Sequence, residues 1–259
     1  MVLMVVACGP ATLPPGDQIE DAHEARNRAA HEVNVTLDRN ILSPLSEAFG
    51  GTLPEPVRDG VSNFAANLSQ PSYVLNNLLQ FRLGDATQNT LRFALNSTLG
   101  VAGLFDVATA LGVPAEATDF GETLHIYGVG EGDYIVHPIL GPSTTRDTVG
   151  RVVDFALNPV RHIVDPPDSY YLTAASVASG LDSRYQFGGT VDSILHESAD
   201  SYAQLRSLYL QQRRHELRGS DAAYEDPYAN ENPAAAADAV AADPNYDPYS
   251  DPYFDPYAQ

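Results

Sequence analysis

Ser143, His125 and Asp147 are the residues whose side chains could supply a nucleophile, a base and an acid for catalysis. A hydrolase with this triad often places the serine in a Gly-x-Ser-x-Gly turn, and no such pentapeptide occurs in the sequence. Ser143 follows Pro142, a position that suits a residue capping a helix. We therefore interpret Ser143 as a structural residue and predict that the protein is not an enzyme.

Metal and nucleotide sites are also incomplete in the sequence. His196-Glu197 has no second histidine four positions on, which a zinc-binding helix would need. His23 and His31 can share a helical face, but the sequence places no third ligand near them. The glycine run from Gly128 to Gly132 follows a strand-like segment, yet residues 133–138 indicate an extended chain where a dinucleotide fingerprint needs a helix. We therefore predict no metal and no cofactor.

The charge of the chain excludes one class of partner. The formal net charge is −20, and all fourteen basic residues are arginines. Affinity for nucleic acid comes mostly from cations that neutralise phosphates, so we exclude DNA and RNA as partners. Anionic lipid headgroups would also repel this protein. If it lies at a membrane, something other than charge must hold it there.

Cys8, the only cysteine, can provide that attachment. The sequence Val5-Val6-Ala7-Cys8 matches a bacterial lipobox, in which the thiol is lipidated and the cysteine becomes the mature N-terminus. Only seven residues precede Cys8 and none is basic, so we expect residues 1–7 to be the remainder of a signal peptide. Residues 8–20, rich in proline and glycine, are then a lipidated tether. The alternative is a free thiol in an apolar stretch.

The spacing of apolar residues predicts a mainly α structure with a single helical domain over residues 21–218. The first helix runs from Asp21 to Asn40 and ends at Ser43-Pro44. Prolines and capping residues mark the starts of further helices: Pro56, Pro71, Asp85 with Gln88 for a helix that reaches Thr98, and Ser143. Four apolar residues form one stripe on the helix after Pro56: Val57, Val61, Phe64 and Leu68.

The segment from Val101 to Val113 is apolar around nearly its whole circumference, with Asp106 as its only charge. Its thirteen residues are too few to cross a bilayer, which takes about 20 residues in a helix. The segment is therefore a buried core helix or a helix in the membrane interface, and the sequence alone favours the core.

The last residues, 219–259, have a different composition from the body. They contain nine acidic residues and no basic one. Asp-Pro-Tyr occurs four times, beginning at Asp226, Asp247, Asp251 and Asp255. Repeated proline and mutual repulsion oppose a packed core, so we predict a disordered acidic tail. The spaced tyrosines could instead contact a partner.

Three segments, in order, resemble the MlaA/VacJ family of lipoproteins. The first contains Arg26-Asn27-Arg28, Leu37-Asp38 and Pro44. The second is LPEPVRDGVSNFAANLSQPSYVLNNLLQ from Leu53, which runs into RFALNSTLGVAGLFDVA from Arg92. The third is FGETLHIYGVGEGDYIVHPILGPSTTRD from Phe120 to Asp147. The resemblance covers roughly Asp21 to Leu217, and several motifs in order are harder to match by chance than one.

This resemblance implies a helical ring embedded in the membrane interface, at the periplasmic face of the outer membrane, with a lipid anchor. It implies that the protein removes mislocalised phospholipids from the outer leaflet and passes them to a periplasmic lipid-carrier protein, with a trimeric outer-membrane porin as partner. It also favours the interface for the segment from Val101 to Val113. The residues expected to contact lipid or a channel wall are Leu104, Phe105, Val107, Leu111, Tyr127 and Tyr134.

A second function stays open at this stage. The protein could be an envelope adaptor lipoprotein that organises porins or other proteins without transporting lipid. Lipid bound to the purified protein would distinguish the transport function from the adaptor function.

Overall fold

The computed structural model describes residues 21–218. The remainder of the signal peptide, the anchor at Cys8, its tether and the acidic tail lie outside the described residues. Within them the prediction of a mainly α, single helical domain is confirmed. The helices are α1 (Glu24–Leu37), α2 (Ser43–Thr52), α3 (Glu55–Leu79), α4 (Leu83–Thr98), α5 (Val107–Ala110), α6 (Phe120–Ile126), α7 (Thr145–Leu157), α8 (Pro159–Ile163), α9 (Asp168–Gln186), α10 (Gly188–Asp192) and α11 (Ser201–Arg218).

Two short π-helical segments complete the helical part, π1 (Asp38–Leu42) and π2 (Ser193–Glu197). π1 makes the first helical stretch longer than predicted, because α1, π1 and α2 follow one another without a break. The backbone at Ser43 stays helical, with φ −61° and ψ −53°. Pro44 is the second residue of α2, so the helical stretch continues through this proline. The predicted helix end at Ser43-Pro44 is therefore wrong.

α3 is a second helix that proline does not end. It runs for 25 residues, and Pro71, predicted to open a new helix, lies inside it. An internal proline removes one backbone hydrogen bond, here the bond to the Asn67 carbonyl four residues earlier. α4 and α9 pack along α3 more extensively than any other elements do, so tertiary contacts stabilise a helix that this proline weakens.

Two other helix starts differ from the prediction by one or two residues. α4 begins at Leu83 rather than Asp85, and no side chain caps it, although it ends at Thr98 as predicted. Thr144, not Ser143, caps α7, because its hydroxyl accepts a hydrogen bond of 3.2 Å from the Asp147 backbone N–H.

A β-hairpin is inserted between α6 and α7. β1 (Tyr134–His137) pairs antiparallel with β2 (Gly141–Thr144), which confirms the extended conformation predicted after the glycine run. Two asparagines of α1 hydrogen-bond to the backbone of β1 and of the turn after it. Asn27 donates to the Tyr134 carbonyl (2.9 Å) and accepts from the Val136 N–H (3.0 Å). Asn34, two helical turns later, makes the same pair of bonds to His137 and Ile139.

The segment from Val101 to Val113 is not a continuous helix, neither in a core nor at an interface. Only α5 is helical, and the residues before it form turns. Val101, Ala102 and Gly103 have φ values of 52°, 60° and 94°. This left-handed conformation is uncommon for alanine and strained for a β-branched valine. We call residues 99–105 the apolar turn.

α6 and α7 cross closely at two buried glycines. A Cβ on Gly150 would lie 2.4 Å from the Gly121 nitrogen. Gly150→Ala is therefore expected to lower the free energy of unfolding by about 1–3 kcal/mol. Gly180→Ala in α9 is the matched control, because no atom lies within 4 Å of its Cβ position, and it should raise stability by about 0.5–1 kcal/mol. Thermal unfolding of the purified protein in detergent measures both, and equal stability of the two variants would contradict this crossing.

Candidate functional site

The body has its polar residues inside and many of its large apolar residues outside. Among residues 21–218, twenty buried residues are polar or charged, whereas seven, glycine aside, are apolar. Phe81 and Ile139 are about four-fifths exposed, at 81% and 80%. Domains surrounded by water usually bury their apolar residues and leave charged ones outside. Such a surface is typical of a protein that contacts lipid or a partner with its apolar side chains.

α3 shows the same inversion on one helix. Val57, the start of the predicted apolar stripe, is 49% exposed. Its neighbour Arg58 is buried, and so are Asn67 and Gln70 further along the helix. The rest of the stripe, Val61, Phe64 and Leu68, is only partly buried, so the polar side of α3 is the more deeply buried one.

The apolar part of the interior is small. Tyr134, Val136, Tyr202 and Leu210 form its buried cluster, between the hairpin and α11. Tyr134 and Tyr202 meet edge to face with ring centroids 6.2 Å apart. Burial raises the pKa of the Tyr202 hydroxyl to about 12. Tyr134, predicted to contact lipid or a channel wall, is thus placed away from the surface, at 6% exposure.

The other predicted contact residues lie nearer the surface. Phe105 and Leu111 are each 62% exposed, Leu104 is exposed, and Val107 is half-buried. These four belong to one segment, in and just after the apolar turn. Tyr127 is also exposed and lies at the end of α6, where its hydroxyl donates to the Leu79 carbonyl (2.8 Å). The structure therefore groups four of the six predicted residues, and their contact with lipid stays a prediction.

A buried polar cluster at Asp106 fixes the apolar turn. Arg92 donates to both oxygens of Asp106, at 3.1 and 2.9 Å, and Asn96 donates to the first at 3.0 Å. The Thr109 hydroxyl and N–H also bond to this carboxylate. Burial would raise the pKa of Asp106, but these bonds outweigh it and lower the pKa to about 2. Asp106 is therefore ionised and holds the turn at its C-terminal side.

A chain of hydrogen bonds crosses α3, α6 and α7. The chain runs from Asp154 through Asn76, Thr123, Gln80, Thr118 and Glu122 to Arg82, with donor to acceptor distances between 2.6 and 3.1 Å. Burial raises the pKa of Asp154, whose oxygens accept from Asn76 and from the Phe120 N–H. These side-chain hydrogen bonds thus link α3 to α6 and α7.

Two residues considered for a catalytic triad, Asp147 and Ser143, have hydrogen-bond partners outside the triad. Asp147 accepts hydrogen bonds from Arg213 (3.1 Å) and from the Tyr209 hydroxyl (2.8 Å). Burial would raise the pKa of Asp147, but the hydrogen bonds from Arg213 and Tyr209 and the charges of Arg213 and Arg146 together outweigh it and lower that pKa. The Ser143 hydroxyl accepts from Thr148 (3.1 Å). Asp147 thus joins α7 to α11 beside a small cavity of about 200 Å³.

One group of side chains has the composition of a metal site, but an arginine occupies the place of the cation. Ligand atoms of Asp38, Asp192 and His196 lie within 4.8 Å of one another. Arg184 donates to Asp38 (2.9 Å) and to Asp192 (2.6 Å), so its guanidinium already pairs with both carboxylates. His196 contacts Asp38 at 2.9 Å. The arrangement joins α9 and π2 to π1, and with Arg184 in place we assign no metal to it.

Sequence reasoning missed the buried amides and ion pairs of this interior. A signal was present along α3, where six of the eighteen residues from Asn63 to Gln80 are asparagine or glutamine. Helix α9, which carries Asp182 and Arg184, was also not predicted.

Among residues 21–218, no helix has the length and apolar character that crossing a bilayer requires.

Comparison with known proteins finds one family. A family model described as "MlaA lipoprotein" matches residues 19–216. Intermembrane phospholipid transport system lipoproteins MlaA of Shigella flexneri and Escherichia coli K12 are 35% and 34% identical over 225 residues, which is 84% of this chain and 85% of each relative. An uncharacterized protein of Rickettsia felis is 34% identical over 191 residues, 73% of this chain and 75% of its own.

A solved structure is also similar. It comes from work on the "Structural basis for maintenance of bacterial outer membrane lipid asymmetry". The TM-score is 0.66 at 30% sequence identity, and the match covers 76% of this chain and 99% of the other.

The cluster at Asp106 predicts a pH-dependent stability. The lowered pKa corresponds to about 2 kcal/mol of stabilisation at neutral pH. Because the folded-state pKa lies below the unfolded one, this contribution is present above about pH 4 and is lost as the pH falls toward 2. Asp106→Asn should thus destabilise the protein at pH 7, and less so at low pH, whereas exposed Asp59→Asn should change little. Urea unfolding at several pH values measures this; a difference independent of pH would contradict the assignment.

Proposed function

Because this chain belongs to the MlaA lipoprotein family, we propose that it removes mislocalised phospholipids from the outer leaflet of the outer membrane and passes them to a periplasmic lipid-carrier protein. The observation that carries this proposal is the inverted polarity of the body. A phospholipid that changes leaflet needs a polar route for its headgroup and an apolar surface for its acyl chains. Buried amides and ion pairs beside exposed leucine and phenylalanine provide both kinds of surface.

Transport of this kind breaks no covalent bond. The relatives from S. flexneri and E. coli are named as transport lipoproteins, which supports a non-enzymatic role. The charged groups of the interior are engaged with one another across helices, as at Asp106 and Asp147. Their contacts account for their burial without a reaction.

The location and partners follow from the same proposal. We place the protein in the cell envelope, at the periplasmic face of the outer membrane, with the thiol of Cys8 carrying the lipid anchor. A trimeric porin and the periplasmic carrier are its proposed protein partners. Exposed apolar side chains of the turn, Leu104 and Phe105 among them, contact the acyl region in this arrangement.

The apolar turn provides the test of the transport function. Leu104→Asp and Phe105→Asp are expected to leave thermal unfolding nearly unchanged, because both side chains are exposed, but to impair transport by disturbing the contact with lipid. Ala108→Asp, at a fully buried site of the same segment, is the control for lost packing and should cost about 3–5 kcal/mol of stability. Unfolding in detergent and phospholipid at the cell surface are measured for each variant.

Two results would contradict this assignment. Loss of cooperative unfolding in Leu104→Asp would show that the turn is ordinary core. A stable variant with unchanged surface phospholipid would remove the turn from the transport path. A wild-type protein that carries no lipid after gentle purification would favour the adaptor function.

The lipid anchor is tested separately. Cys8→Ala, expressed behind a complete signal peptide, is expected to release the protein into the soluble periplasmic fraction, because the variant cannot be acylated. Cell fractionation and the intact mass of the wild-type protein measure this. Retention of the variant in the membrane fraction, together with no acyl mass on the wild type, would refute the anchor.

A further inference from the structure

α3 carries a concentration of buried polar atoms without partners. Among residues 21–218, eight side-chain nitrogen or oxygen atoms are buried with no hydrogen-bond partner, and five of them lie between Asn67 and Gln80. Four are amide atoms, of Asn67, Gln70, Asn77 and Gln80, which recur at spacings of three, seven and three residues and so share one side of the helix. We call these four residues the amide row. Each is at most 6% exposed.

Buried polar atoms of this kind require an explanation. Leaving a donor or acceptor unpaired in the interior is unfavourable, and proteins keep few such atoms unless water, a ligand or another conformation satisfies them. The sequence between Asp59 and Arg82 contains no charged residue, so no ion pair accounts for the row. An apolar side chain would pack at these positions without the penalty.

The helix is weakest in the middle of the row. Pro71 directly follows Gln70 and removes the backbone hydrogen bond to the carbonyl of Asn67. Gly103 of the apolar turn packs against the Asn67 side chain, where a Cβ on this glycine would approach within 2.7 Å. A bend of α3 at Pro71 would therefore move Asn77 and Gln80 away from Asn67, which contacts the turn that presents Leu104 and Phe105.

We infer that the amide row is the binding surface for the headgroup of the transported phospholipid, and that the headgroup reaches it when α3 bends at Pro71. The inference rests on the proposed transport function and adds the residues and the headgroup chemistry. Three of the free atoms are carbonyl oxygens, of Asn67, Gln70 and Gln80, and one is the amide nitrogen of Asn77.

This set of atoms predicts which headgroups bind. Carbonyl oxygens accept hydrogen bonds, so they match the ammonium of phosphatidylethanolamine and the hydroxyls of phosphatidylglycerol. The single N–H donor of Asn77 suits a phosphate oxygen. Phosphatidylcholine has no N–H or O–H donor in its headgroup. The row therefore favours the first two lipids over the third.

The test measures the composition of bound lipid. Purified full-length protein in detergent is incubated with an equimolar mixture of the three phospholipids, all with the same acyl chains, and native mass spectrometry identifies what is bound. The wild type should prefer ethanolamine and glycerol headgroups over choline. Gln70→Met, which removes one free oxygen at similar volume, should reduce this preference about fivefold and leave the unfolding temperature unchanged or higher.

Two further variants make the result specific. Gln211→Met, an exposed change on α11, should keep the wild-type composition. Gln70→Glu should shift binding from phosphatidylglycerol, which its carboxylate repels, to phosphatidylethanolamine, which it attracts. If Gln70→Met does not fold, the headgroup preference of the wild type decides.

The outcomes separate this inference from the function on which it rests. Wild-type protein that binds lipid without a headgroup preference would overturn the inference alone. The same conclusion follows if Gln70→Met and Gln70→Glu both bind the wild-type composition. Wild-type protein that binds none of the three lipids would overturn the proposed function and the inference with it.

Discussion

Buried arginine–carboxylate pairs hold this body together where a larger apolar core is absent. Arg58 pairs with Asp182, Arg184 with Asp38, and Arg213 with Asp147, joining residues that are 124, 146 and 66 positions apart. Removing one partner from such a pair leaves an unpaired charge in the interior, which costs about 3–5 kcal/mol. The late helices α9 and α11 are thereby tied to earlier parts of the chain, and the other contacts depend on that closure.

The exposed apolar surface is the counterpart of this interior. Once charged and amide groups occupy the inside, the large apolar residues of the same helices lie outside, as Val57 does beside Arg58. Helices joined by a polar interior can shift little relative to one another, because each hydrogen bond requires a particular distance and angle. The strained conformation at Val101 is consistent with this: the bonds among Asp106, Arg92 and Asn96 hold the segment that follows it.

Much of the element order could be predicted from the sequence, but the direction of burial could not. Periodicity located the first half of α3, a capping box located α4 to within two residues, and the extended residues after the glycines are β1. Amphipathicity shows that a helix has two unlike sides, and it does not say which side faces the medium.

The helix boundaries and the buried ion pairs were harder to predict, for different reasons. Pro71 was predicted to start a helix because local rules do not include the packing of α4 and α9 that supports the helix around it. The ion pairs connect positions far apart, so no local pattern reveals them. One global signal was present: every basic residue is arginine, whose planar guanidinium suits bidentate pairing in the interior better than lysine does.

The two asparagines of α1 pair with backbone groups at the edge of the hairpin that a small sheet usually leaves unpaired. A strand with unpaired backbone groups at its edge can recruit a strand from another molecule, which leads to aggregation. In this protein Asn27 and Asn34 take the place of a neighbouring strand along β1 and in the turn that follows it, through their amide groups. The β1 edge of the hairpin is thus protected from pairing with another molecule, and it needs no third strand for that protection.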